Sequence, residues 1–150
     1  MNHLIIIFTC LGLFLKSQNT MTTKYFRFEC ECIENENYYN PKNQSYNYSY
    51  GKKDELSGYL IALRKIISRD KKQQEEYLIS IKNSGTFDYR ESIFVGESAI
   101  IADIFQIDAY GRQIIFFHDN IAYTIMVVSN KKETMERLYI GLRKTFQFQK

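Results

Sequence analysis

Residues 87–129 read FDYRESIFVGESAIIADIFQIDAYGRQIIFFHDNIAYTIMVVS, and the spacing of apolar side chains in this stretch decides the fold. Four runs rich in Ile, Val, Phe and Tyr (87–95, 98–107, 112–118 and 121–129) are divided by short polar links. Such runs predict strands, and links this short force consecutive strands to pair antiparallel, as a meander. Gly96-Glu97 suits a type II′ hairpin turn and Asp119-Asn120 a type I′ turn, while Asp108 to Gly111 forms a longer connection. The run 98–107 is apolar on both faces apart from Asp103 and Gln106, which places it at the centre of the sheet. A carboxylate there needs a partner, and Arg90, Arg112 or Lys65 can supply one.

After the meander, Ser129 or Asn130 caps a final helix, with Glu133 near its positive end. Met135, Leu138, Tyr139, Leu142 and Phe146 recur at helical spacing and mark the face that docks on the sheet. Before the meander, Ser68 or Asp70 caps a helix over about residues 71–83, with Tyr77, Leu78 and Ile81 on its apolar side and Gly85 beyond its end. Residues 58–67 fit a strand, although Leu60, Ile61, Leu63, Ile66 and Ile67 also suit a helix. Residues 45–50, Ser-Tyr-Asn-Tyr-Ser-Tyr, and 25–33 alternate with period two. In the latter, Phe26, Phe28, Cys30 and Cys32 share one face. Between these two strands lies a polar stretch, Glu34 to Gln44, holding the only proline, Pro41. These elements predict an α+β fold: an antiparallel sheet, made of the four-strand meander plus N-terminal strands, flanked by two helices.

Residues 4–15 form an apolar run followed by Lys16. The run is shorter than the about 20 residues that span a bilayer, and it fits the h-region of a secretory signal. Cleavage after Ser17 leaves Gln18 as the new terminus and residues 18–150 as one domain, exported to the periplasm, the envelope or the exterior. Two other readings of this segment are a lipoprotein signal with Cys10 acylated, although bulky Phe8 makes a poor lipobox, and a structural helix. The formal net charge is +3, and loss of Lys16 lowers it by one. With its basic residues scattered, the chain lacks the stripe that nucleic acid requires. No transmembrane span is expected in the mature form.

No phosphate loop, dinucleotide fingerprint, Gly-x-Ser-x-Gly elbow or His-Glu-x-x-His occurs, so no catalytic set, cofactor or metal is assigned. After cleavage His118 is the only histidine, at a hairpin tip beside Asp119. Cys30 and Cys32 read as two small apolar side chains on a buried face. The alternatives are a redox pair or soft-metal ligands. Two residues apart in a strand, their Cα atoms lie about 6.6 Å from each other, near the upper limit for a disulfide. The most suggestive surface is Asn35–Gly51. There Tyr38, Tyr39, Tyr46, Tyr48 and Tyr50 stand among Asn, Ser and Gly, a mixture that binding loops use and that aromatic hairpins also show. Asn43-Gln44-Ser45 and Asn47-Tyr48-Ser49 match the glycosylation sequon.

The strand Gly96-Glu97-Ser98-Ala99-Ile100-Ile101, the hairpin from Ile114 to Val128 and the helix ending Thr145-Phe146-Gln147-Phe148 together resemble small exported PsbP-like proteins, over roughly residues 45–150. That resemblance implies an antiparallel sheet between helices, and a non-enzymatic accessory or binding role for an unknown protein or small-molecule partner. Cys30-Glu31-Cys32 departs from the family pattern, and no functional residue is carried over. Beside this reading stand a thiol-dependent enzyme or redox protein using Cys30, with or without His118, and an envelope component anchored through Cys10.

Overall fold

A computed structural model describes residues 18–42, 44–52, 55–66 and 70–150. The leader with its expected cut after Ser17, Cys10, Asn43 of the first sequon and the alternative cap Ser68 lie outside the described residues. Strand β1 (Asn19–Thr22) turns at Thr23 into β2 (Phe26–Cys30). The Thr23 hydroxyl fixes this turn by accepting the backbone N–H of Tyr25 and of Phe26, each at 3.1 Å. Then come β3 (Ile33–Asn40), β4 (Ser45–Gly51) and β5 (Ser57–Lys65). Helix α1 (Lys71–Asn83) begins where Asp70 accepts the backbone N–H of Lys72 at 2.9 Å. The meander is β6 (Arg90–Phe94), β7 (Glu97–Gln106), β8 (Ala109–His118) and β9 (Ile121–Ser129). Helix α2 (Lys132–Thr145) and the two-residue β10 (Gln147–Phe148) follow.

Among the described residues, ten strands and two helices form an α+β arrangement of two antiparallel sheets. The larger sheet has the order β3-β4-β5-β9-β8-β7-β6, and the smaller has β1-β2-β10. On the inner face of the large sheet, Tyr59, Ile101, Ile114, Phe116, Tyr123 and Ile125 meet Phe26 and Phe28 of β2, Leu142 of α2 and Phe146 at the end of that helix. Phe146 stacks on Phe26 with ring centroids 5.4 Å apart and meets Phe94 edge-on at 5.5 Å, the offset and T-shaped contacts that aromatic quadrupoles favour. On the outer face, Leu78 of α1 and Tyr89 close a smaller core over Ile100, Ala102, Ile115 and Phe117.

The structure corrects several expectations. The polar stretch after residue 33 is a strand: β3 pairs with β4 along the sheet edge, where no burial demands an apolar pattern. Strand β2 belongs to a second sheet, because alternation reports a buried face and not the hydrogen-bonding neighbour. Strand β7 is next to the edge strand β6, and β9 is central. Strand β7 is apolar on both faces because α1 covers its outer side, so the sheet is covered by a helix on part of that face rather than flanked along its width. The first meander turn is Val95-Gly96, with φ of 52° and 86°, joining the paired residues Phe94 and Glu97. Two left-handed residues make it type I′, and the nearby Gly96-Glu97 pair does not form the turn. At Asp119-Asn120 only Asp119 is left-handed, with φ 53°, which excludes type I′. Ile107-Asp108 is a two-residue turn, so β8 starts at Ala109 rather than Arg112.

Candidate functional site

The tyrosine segment divides between the two faces of the large sheet. Tyr48 and Tyr50 point inward at 6% and 2% exposure, edge-on to Phe26 and Phe28 at 5.4 and 5.3 Å, and belong to the core. Burial raises the pKa of both hydroxyls, and Tyr50 is the buried side chain whose oxygen has no hydrogen-bond partner among the described residues. Tyr46 is half-buried at the rim of the same face, with Tyr39 at 4.9 Å and Tyr25 at 5.7 Å. The Lys24 ammonium lies 4.8 Å from the Tyr25 ring and 4.9 Å from the Tyr46 ring, a cation–π pair at an exposed site. Tyr38 and Tyr39 are each about half exposed, on opposite faces of β3.

Tyr38 faces outward, over the part of the sheet beyond α1. The register sets Tyr38, Asn47, Ala62 and Thr124 in one row across β3, β4, β5 and β9. The next row is Glu36, Ser49, Leu60 and Met126. Together these rows line an open groove of about 270 Å3. Its floor is mostly apolar, and Leu60 at its centre is 52% exposed. A third row carries Ser45, Arg64 and Ala122 on the same face. Arg64 is exposed and makes no ion pair with another described residue. Period-two alternation could have separated the inner from the outer tyrosines. An apolar Leu60 left uncovered was not readable, since the sequence does not show how far α1 reaches.

Cys30 and Cys32 are joined in a disulfide with Cα atoms 5.2 Å apart. The strand ends at Cys30 and bends at Glu31, which shortens the extended spacing to one that a bond accepts. Both residues are buried, at 4% and 5% exposure. His118 is engaged on two sides: Nδ1 lies 2.8 Å from the Glu97 carboxylate, and the ring stacks on Phe148 with centroids 3.5 Å apart. A cleft of about 420 Å3 at the start of α1, lined by Lys71, Gln74, Glu97, Phe117, Asp119 and Asn120, adjoins this pair. Asp103 receives Nε of Arg112 at 2.6 Å and Nη1 of Arg90 at 3.2 Å, while Lys65 takes no part. Partial burial opposes its ionisation, but the two arginines outweigh this and hold the carboxyl below its usual range. Among the described residues no group of three His, Cys, Asp or Glu is placed to hold a metal ion. No described helix is long and apolar enough to cross a membrane.

The sequence reading missed the β7–β8 hairpin tip. Phe105 and Ile107 project from it at 70% and 91% exposure, with the Phe105 ring 5.1 Å from that of Tyr110. No signal in the sequence marked it, because Ile107 reads there as the last residue of the strand 98–107 and the turn at Ile107-Asp108 is set by the register of β7 on β8. No protein-family model matches the chain, and no curated protein matches it either.

Proposed function

We propose that this chain is an exported, non-enzymatic binding or accessory domain whose contact surface is the open outer face of the large sheet. The observation that carries this is the groove at Tyr38, Leu60, Ala62 and Met126, where apolar side chains lie open beside Glu36, Asn47 and Ser49, with Arg64 one row beyond. Apolar sheet surface left in water is costly, and a contiguous stretch with a polar rim is how proteins build contact sites. Export is supported by the leader's h-region pattern and by the bonded Cys30–Cys32 pair, since disulfides persist in oxidising compartments. The resemblance of the sequence pattern to PsbP-like proteins is in keeping with an accessory role. The thiol-dependent alternative draws less support, because its sulfurs are bonded to each other and buried, closed to an attacking thiolate.

An anilinonaphthalene sulfonate dye tests the face. At concentrations low enough to keep the chain monomeric, dye fluorescence rises with the mature chain and falls at least about tenfold in Leu60→Asp, with Tyr38→Ser between the two. Equal fluorescence in all three overturns the assignment. Mass spectrometry of the secreted protein tests export: a start at Gln18 supports cleavage and excludes acylation at Cys10, whereas Met1 retained in cytosol overturns both.

A further inference from the structure

We infer that the occupant of the groove is the β7–β8 hairpin tip of a second copy of this chain, an inference that rests on the contact face proposed above. The two surfaces are complementary in shape. The tip is a narrow convex knob of Phe105 and Ile107, with the backbone ladder paired up to Gln106 and Ala109 at its base. The groove, at about 270 Å3, is open rather than enclosed, and its floor suits one or two inserted side chains.

They are also complementary in charge. Asp108 sits beside Ile107 in the turn, exposed and without an ion pair among the described residues. Arg64 follows Ala62 by two residues on the outer face of β5, about 6.6 Å beyond the groove floor. A tip seated with Ile107 over Leu60 and Ala62 brings Asp108 to Arg64. The same aspartate argues against a lipid surface as occupant, since carrying a carboxylate into hydrocarbon is costly. A tip cannot fold back onto its own groove, because the turns on either side of β8 hold two residues each. The contact therefore joins two molecules through unlike surfaces, either once in each direction between a pair or head to tail.

Sedimentation velocity on the mature chain tests this. The wild type self-associates with rising concentration, while Ile107→Asp, which damages the tip, and Leu60→Asp, which damages the groove, each stay monomeric. Mixing the two variants restores a one-to-one complex, because each keeps the surface the other lacks. Asp108→Arg or Arg64→Asp alone weakens association about tenfold, and the double exchange recovers most of it. A wild type that stays monomeric throughout, or a variant mixture that never pairs, overturns the inference. Dye binding to the Ile107→Asp chain, whose groove is empty, separates the two failures. A monomer that binds dye loses only the second copy, and one that does not loses the contact face as well.

Discussion

The Arg112 guanidinium grips both oxygens of the Glu136 carboxylate, Nη1 to Oε2 at 2.7 Å and Nη2 to Oε1 at 2.8 Å, and so fastens β8 to α2. Its Nε reaches Asp103 at 2.6 Å and its Cζ lies 4.6 Å from the Tyr139 ring centroid, so all three nitrogens and one face are engaged. A cation only 8% exposed stays charged because these partners outweigh its desolvation, which keeps its pKa above the ordinary value. Arg112→Leu leaves two carboxylates facing each other at the rim, where both still reach water. The expected loss is about 2 kcal/mol, below the roughly 3–5 kcal/mol of a fully buried pair, read from urea unfolding.

The same network sets an acid limit. The folded-state pKa of Asp103 is lowered, so its contribution is complete above the unfolded value near 3.9 and fades as the pH falls through the folded value. Asp103→Asn is therefore less stable than wild type at pH 6, and the gap closes toward pH 2. A gap unchanged over that range means that Asp103 is not linked to stability.

Gly58 is a close-approach point between β4 and β5. A Cβ there would stand 2.0 Å from the Tyr50 carbonyl oxygen and 2.8 Å from Gly51 Cα, and backbone cannot yield as a side chain can. Gly58→Ala is expected to cost about 3 kcal/mol, with lost amide protection along the β4–β5 ladder. Gly96→Ala acts differently: open space surrounds it, and only its φ of +86° resists, so its cost is nearer 1 kcal/mol.

The Cys30–Cys32 bond closes a ring of only three residues, so it limits the unfolded chain little. Cys30→Ala with Cys32→Ala is expected to lose about 1.5 kcal/mol, a small share for a disulfide. Burial of both sulfurs predicts that reductant and alkylating reagent label neither cysteine in the folded protein, and both in urea. Labelling without urea contradicts this and returns the thiol chemistry to consideration.

Local periodicity carried the meander and both helices, because β7 to β9 and α2 each bury a face that their own sequence marks. Pairing between distant segments was not legible. Nothing in Phe26-Arg27-Phe28 states that its neighbours are residues 19–22 and 147–148, and nothing in the polar Glu34–Asn40 run requires an edge strand. The same limit governed the candidate site. Alternation placed Tyr46, Tyr48 and Tyr50 on one face, but which face met β2 depended on the second sheet. The groove at Leu60 exists because α1 stops short of β5, a matter of tertiary reach.

The small sheet joins the chain's first described segment to its last: β2 pairs with β10, and Arg27 donates to Gln147 at 2.8 Å across 120 positions of sequence. A nascent polypeptide leaving the ribosome amino end first cannot make this closure until residue 148 has emerged. Translation thus holds open a window in which Phe26 and Phe28 have no Phe146 to meet.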